Sequence, residues 1–526
     1  MRFSLSSAAV LGGTMLAHSA LAINPLVIKG AKWFDSKTGA QFFAKGVDYQ
    51  PDIIETSQTR DPLANKEACD RDLPFLKDLG VNAIRVYQTE AYNNHDYCMN
   101  ALAAAGIYVM LDLSTPTETI NRDSPAYDAD LLGYYHQKVD AFGGYDNVMG
   151  FLAGNEVANA PNNTDSAAYV KAALRDVKAY IKKKGFSVPV GYATNDDADI
   201  RWQQQTYFDC SSKEEQAEFY GLNIYSWCGE DSSYEISGYD KVVKNFTSWD
   251  VPVLLTEYGC NTIRPRTFPE IAAIYGSSMT AVFSGGFVYE YVEEDNAYGL
   301  VTVSGTKGTK TKDYDNFKKA LSATNPKGVT MSSYSSSAKM QSCPSVGTSN
   351  SWLASATLPP TPSNATCECM MKTLSCVSKD TSAPTDADKL KTWSSTVGDI
   401  FSYACSSIDC SAITGNGTTG KYGKYSGCDV VSRVSWALNA YYQANGKKST
   451  SCDFDGFAKV ATPSSSSDSS CSNSTDDSSS DSSSTGSSNS SSKSKGNSNT
   501  SDAGKNFSAI TALTTVAIVA VAAAAF

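Results

Sequence analysis

The chain has 526 residues, 41% hydrophobic and 11% aromatic, with a formal net charge of −11. That is apolar material for more than one packed domain, and the acidic balance excludes a nucleic-acid partner, which needs a basic patch. With only His18, His95 and His136, no H-E-x-x-H motif and no G-x-x-x-x-G-K-[ST] loop, a Ser-His-Asp triad, a His-rich zinc site and a phosphate loop have no footing; no metal and no cofactor are expected, and carboxylates remain to do chemistry.

Residues 1–22 read as a secretory signal: Arg2 supplies the positive start, an apolar stretch follows, and Ala20-Leu21-Ala22 fits the small-x-small cleavage rule. From 23 to 326, apolar runs alternate with helical patterns. The runs are Gln41–Gln50, Ala83–Gln88, Tyr108–Leu113, Val148–Glu156, Val188–Thr194, Phe219–Ser226, Val251–Gly259 and Gly286–Val292. Between the first of them, Asn65–Leu79 and Asp96–Ala105 have helical spacing and stop at Gly80 and Gly106, as helix C-termini do. Continuous apolar strands alternating with helices mean a parallel sheet. Eight such units predict a closed (β/α)₈ barrel of the TIM type; an open doubly wound sheet would want a Gly-rich turn after its first strand, and Gly46-Val47-Asp48-Tyr49-Gln50-Pro51 is not one.

Residues 327–365, rich in Ser, Thr and Pro, read as a linker tied back by Cys343. Residues 366–471 form a small, mainly helical, disulfide-rich module with a dense cysteine set: Cys367, Cys369, Cys376, Cys405, Cys410, Cys428, Cys452 and Cys471. Residues 472–501 are a Ser-rich stalk that cannot build a core. Residues 502–526 carry small residues, a short polar spacer and an uncharged apolar tail, the order of a glycosylphosphatidylinositol signal. The expected place is therefore the cell surface, anchored by lipid to the outer leaflet of the membrane, with the cell wall within reach, and a monomer is expected. The sequons at Asn162, Asn245, Asn364, Asn416, Asn473, Asn489, Asn499 and Asn506 suit that compartment.

The six barrel-region cysteines suggest three pairs. Cys69 lies in the first helix and Cys98 opens the second; Cys228 and Cys260 follow strands six and seven; that leaves Cys210 for Cys343.

Barrel active sites use the C-terminal ends of strands. Those ends carry Gln50, Tyr87, Asp112, Asn155-Glu156, Tyr225, Glu257-Tyr258 and Tyr289. Glu156 and Glu257 close two apolar runs, where an ionisable group is costly unless it faces a polar cleft. Paired carboxylates are the machinery of glycoside cleavage, one protonated to assist the leaving oxygen and one ionised to attack the anomeric carbon. After strand five, Asn195-Asp196-Asp197 either touches an acceptor sugar or caps a helix.

Five segments, Gly46-Val47-Asp48-Tyr49-Gln50-Pro51, Gly80-Val81-Asn82-Ala83-Ile84-Arg85-Val86-Tyr87, Leu111-Asp112-Leu113-Ser114-Thr115-Pro116, Gly154-Asn155-Glu156 and Leu255-Thr256-Glu257-Tyr258-Gly259-Cys260, together resemble the fungal β-1,3-glucanosyltransferases of glycoside hydrolase family 72. The resemblance implies that Glu156 is the acid/base and Glu257 the nucleophile, and that Gln50, Tyr87, Asp112, Asn155, Tyr225 and Tyr289 line the donor sugar site. It implies β-1,3-glucan donor and acceptor chains as partners. A plain β-1,3-glucan hydrolase and a non-catalytic wall-binding protein are the alternatives. The cysteine-rich module, with Cys367-Glu368-Cys369, Gly420-Lys421-Tyr422-Gly423-Lys424-Tyr425-Ser426-Gly427-Cys428 and Asn439-Ala440-Tyr441-Tyr442, is similar to carbohydrate-binding module family 43. Tyr422, Tyr425 and Trp393 are its candidate sugar-stacking residues; a module that only props up the barrel is the other reading.

Overall fold

The computed structural model describes residues 23–51, 61–384 and 386–464. The expected signal, stalk, anchor signal, Cys471 and the last four sequons lie outside the described residues.

The eight expected runs form one closed barrel of parallel strands. In chain order they are Ala44–Asp48, Ala83–Val86, Tyr108–Asp112, Val148–Asn155, Val190–Thr194, Phe219–Ile224, Val253–Tyr258 and Phe283–Val288, and the last pairs with the first, Phe287 opposite Gly46. That closure depends on a bare backbone: a Cβ on Gly46 would lie 2.2 Å from the Phe287 ring. The first run is shorter than its pattern because Gln41–Phe42 pairs instead with a hairpin, Leu26–Lys29 and Lys32–Asp35, at Phe34 and Trp33. Trp33 packs with Phe219, Phe287, Met110, Met149, Leu152 and Leu254 inside the barrel, so the hairpin closes the end away from the strand C-termini.

The helices form where the sequence places caps. Lys66–Leu79 begins as the Asn65 side chain accepts from the Ala68 N–H and ends at Gly80 with φ 76°, a left-handed stop that glycine takes without strain. Ala129–Phe142, Ala167–Lys184 and Lys312–Ser322 bury one face each on the barrel. Cys69–Cys98, Cys210–Cys343 and Cys228–Cys260 are bonded as expected.

The linker differs from a loose spacer. Trp352 is fully buried against Tyr207, and the Leu353 N–H donates to Thr164 Oγ1 at 2.8 Å. Composition hid this, because one tryptophan and one disulfide hold a Ser-rich strap.

The module contains helices Asn364–Met371, Ala387–Cys405 and Val430–Ala444 and a short antiparallel pair, Cys376–Ser378 with Ala458–Val460. Its bonds Cys367–Cys428, Cys376–Cys452 and Cys405–Cys410 stay within it, and Cys369 is disulfide-bonded too. The three aromatics proposed for sugar stacking are used otherwise. Tyr425 and Trp393 are buried in the module's cores, Trp393 donating its ring N–H to Asp380 at 2.9 Å. Tyr422 packs edge-on against Tyr169 of barrel helix Ala167–Lys184 and donates its hydroxyl to the Thr357 carbonyl. A small domain needs its large rings for its own core, and Tyr422 joins module to barrel. A further bond crosses the same seam, Ala129 N–H to the Gly427 carbonyl at 3.0 Å, and the strap joins the module through Ser355 N–H to the Gly417 carbonyl at 2.8 Å.

Among the described residues no helix is long and apolar enough to cross a membrane.

Candidate active site

The strand C-termini converge on one buried cation. Arg85 stands in the apolar run Ala83–Val86 yet has no exposed surface. A buried guanidinium is stable only if its donors are all met. Its Nε and Nη2 grip both oxygens of Asp112 at 3.0 and 2.9 Å, Nη1 reaches Glu257 Oε1 at 3.1 Å and the Thr256 carbonyl at 3.3 Å, and Nη2 also reaches Asn155 Oδ1 at 3.0 Å. The fork geometry of arginine makes this possible; a lysine would hold one partner as a point charge. The ring of Tyr87 lies 4.3 Å from the guanidinium carbon, a cation–π contact.

Glu257 is surrounded by donors. Besides Arg85, the Tyr87 hydroxyl donates to Oε1 at 3.0 Å and the Tyr225 hydroxyl to Oε2 at 2.6 Å. Burial pushes its carboxyl up to about 7, Arg85 opposes that, Glu156 adds to it, and the two tyrosine hydroxyls lower it again. Its neighbours are displaced the same way: burial raises Asp48 well above the carboxylate range and Glu290 to about 8.

Glu156 is set differently. It lies just past the end of strand Val148–Asn155 with φ 48°, an unusual conformation for a residue with a side chain. The turn is over-determined: its N–H donates to the Ala193 carbonyl, Arg122 donates to its carbonyl, and the Tyr192 hydroxyl accepts the Val157 and Ala158 N–H groups. The side chain is half-buried, and Asn223 Nδ2 donates to Oε1 at 2.9 Å.

The structure brings most of the expected residues to this mouth. Tyr289 stacks edge-on with Tyr87 and Tyr225 at centroid distances of 6.4 and 6.3 Å, forming a three-tyrosine wall beside Glu257. Gln50 is buried, its amide oxygen accepting the Gln88 N–H just after Tyr87. Asn155 has its oxygen filled by Arg85 and Asn223, which turns its amide N–H₂ to other partners. Asp112 sits behind Arg85, both oxygens committed to it. Asn195 and Asp196 do not cap the following helix, Arg201–Phe208, whose cap residue is Ile200. Asn195 donates to the Asn159 carbonyl and accepts from Gln204, and Asp196 pairs with Arg201 at 2.5 Å; burial lifts Asp196 to about 6. Asn195 thus braces the loop after Glu156, and Asp196 ties to the start of the following helix.

Arg85, Asn223 and Asp48 were not singled out from sequence. The signal was there for two of them: Arg85 is the lone charged residue and Asn223 the lone amide in an otherwise apolar barrel strand, whereas Asp48 shares its strand with Lys45. No group of three or more His, Cys, Asp or Glu side chains among the described residues stands together as a metal site. Two carboxyl groups of unlike surroundings, the polar groups around them and a wall of aromatic rings make an arrangement able to cleave and remake a sugar bond.

Residues 15–325 match the family model described as glucanosyltransferase, and 374–459 match the X8 domain. The chain belongs to the glucanosyltransferase family. Among its relatives, the 1,3-beta-glucanosyltransferase of Arthroderma benhamiae is 44% identical over 90% of this chain and 89% of the relative. The 1,3-beta-glucanosyltransferase gas1 of Schizosaccharomyces pombe is 42% identical over 88% of this chain and 83% of the relative. Among solved structures, a mutant of Saccharomyces cerevisiae Gas2p in complex with laminaritetraose and laminaripentaose is similar with a TM-score of 0.76 and 39% identity, covering 83% of this chain and 95% of that one. The first match spans the barrel and the second lies within the disulfide-rich module.

Proposed function

We propose that this glucanosyltransferase is a retaining enzyme that cleaves a β-1,3-glucan chain and joins the new reducing end to the non-reducing end of a second chain. The observation that carries this reading is the unlike setting of the two glutamates: Glu257 held by Arg85, Tyr87 and Tyr225, and Glu156 half-buried with one oxygen held by Asn223.

In the first step the Glu257 carboxylate attacks the anomeric carbon. The bond to the departing glucan breaks, and Glu156 gives its proton to the leaving oxygen. In the second step a hydroxyl of the acceptor chain attacks the same carbon, Glu156 takes its proton, and Glu257 is released as a carboxylate. Arg85 and the two tyrosine hydroxyls stabilise Glu257 as an anion before attack and as a leaving group afterwards. Asn155 offers its amide N–H₂ to the sugar 2-hydroxyl. Carboxyl groups about 5–5.5 Å apart are expected for this chemistry, against ~6.5–9.5 Å for an inverting site.

Transfer outruns hydrolysis when the acceptor sugar is held in place, an effective-concentration effect. Incubation of the purified protein with a reduced laminari-oligosaccharide, followed by product sizing, tests the reading. Products longer than the input support transfer; only shorter products mean a hydrolase, and no change means a binding protein.

The secretory signal and the lipid anchor belong to the same proposal. They place the enzyme at the cell surface, with the stalk holding it toward wall glucan. Release from membranes by a phosphatidylinositol-specific phospholipase supports the anchor; retention as an intact protein counts against it. The module's role is to brace the barrel, a reading supported by Tyr422 at the seam.

A further inference from the structure

Asn223 lies inside the sixth barrel strand, 2% exposed. Its Nδ2 donates to Glu156 Oε1 at 2.9 Å and to Asn155 Oδ1 at 3.1 Å, and its Oδ1 accepts from the Thr256 hydroxyl at 2.7 Å. The amide cannot be turned around. Asn155 Oδ1 already accepts from Arg85 and so is an oxygen, and a carboxylate stands beside it. Two acceptors on one side require the N–H₂ there, and the hydroxyl of Thr256 is left to donate to the carbonyl end. Thr256 has no exposed surface and directly precedes Glu257. It fits because residue 221 is glycine: a Cβ there would lie 2.4 Å from Thr256 Cγ2. One chain of bonds therefore runs from the strand of the nucleophile, through Asn223, to the acid/base.

In a protonated carboxyl the carbonyl oxygen is the stronger acceptor, so an N–H held on one oxygen favours the proton on the other. With Oε1 of Glu156 held by Asn223, the proton belongs on Oε2. We propose that Asn223, locked by Thr256, is a positioning residue that selects Glu156 Oε2 as the atom that gives and takes the proton in both steps. The proposal rests on the retaining reading above and specifies its geometry. In the first step Asn223 holds the protonated carboxyl with Oε2 toward the leaving oxygen. In the second it holds the carboxylate with Oε2 toward the acceptor hydroxyl. No atom of Asn223 touches the sugar in this scheme.

The test separates proton delivery from everything else. A laminari-oligosaccharide donor needs a proton on its leaving oxygen; a β-laminaribiosyl fluoride does not, because fluoride departs unaided. In Asn223→Ala, kcat/KM with the oligosaccharide is expected to fall about 10- to 100-fold, the scale of a misplaced catalytic group. The rapid first release of fluoride is expected to stay within about threefold of the parent, followed by a slow steady state, since the second step still needs Glu156. Thr256→Val is expected to show the same split with a smaller loss, and Thr256→Ser, which keeps the hydroxyl, to lose less than Thr256→Val. Should Asn223→Ala not fold, the two Thr256 variants decide. Equal losses with both donors, or no loss with the oligosaccharide, overturn the proposal. Transfer products whose new linkage has the inverted anomeric configuration, or a Glu257→Gln variant that still elongates, overturn the retaining reading instead, so the two failures are distinct.

Discussion

The barrel and the module solve the problem of stability in opposite ways. The barrel has a continuous apolar core that reaches from its strands through every surrounding helix. Against that core it can hold Arg85, Asp112, Glu257 and Asp48 out of water at one end, a set of ionisable groups whose charged forms are by themselves unfavourable there. The module has two small apolar clusters and is laced by disulfides. It uses its large rings internally and at the seam. A large core tolerates the strain of an active site; a small one needs cross-links and has little left for chemistry.

The hardest challenge to that division is removal of the two carboxyls proposed to be catalytic. Glu257→Gln and Glu156→Gln are each expected to lower elongation by about 10⁴-fold while secretion and melting behaviour stay those of a folded barrel. Product sizing and circular dichroism on the same samples check it. If charge burial is borne by the barrel core, Arg85→Met, which strands Asp112 and Glu257, should cost about 3–5 kcal/mol, read by denaturant unfolding of the barrel.

The module should fail at its cross-links. Replacing Cys376 and Cys452 together by Ser is expected to cost about 2–5 kcal/mol and to melt the module ahead of the barrel in calorimetry. The same change at Cys69 and Cys98, which close a shorter loop over a large core, should cost less. A barrel that unfolded first in the module variant would dissolve the contrast.

The smallest effect is a shift in pH. As the proposed nucleophile Glu257 must be ionised to attack, and burial raises its carboxyl to about 7. The rate therefore falls as pH drops through that region. Tyr225 lowers the value by donating to Oε2. Tyr225→Phe removes the donor, so the acid limb of kcat/KM should move to higher pH, by up to about one unit. A limb that stayed in place, or moved to lower pH, would mean that the hydroxyl does not act on Glu257.

The legibility of the two regions also differs. In the barrel, period and punctuation were enough: eight apolar runs with glycine stops specify strands and helices, and a Glu closing such a run marks the mouth. The three barrel disulfides followed from which elements are neighbours. In the module, the same reasoning failed at Tyr422, Tyr425 and Trp393, because an aromatic ring reads alike whether it stacks on a sugar or fills a core.

By itself, then, the sequence determined the eight-strand closed architecture, the place of Glu156 and Glu257 at the ends of two barrel strands and the disulfide-rich character of the second part, because local pattern, strand-end position and cysteine count are properties of the chain in order. Tertiary structure decided the rest: that Arg85 ties strands two, three, four and seven through one guanidinium, that Asn223 faces Glu156 from strand six, and that a Ser-rich strap is buried by Trp352. These are contacts between residues far apart in sequence, and only closure of the barrel brings them within hydrogen-bonding distance.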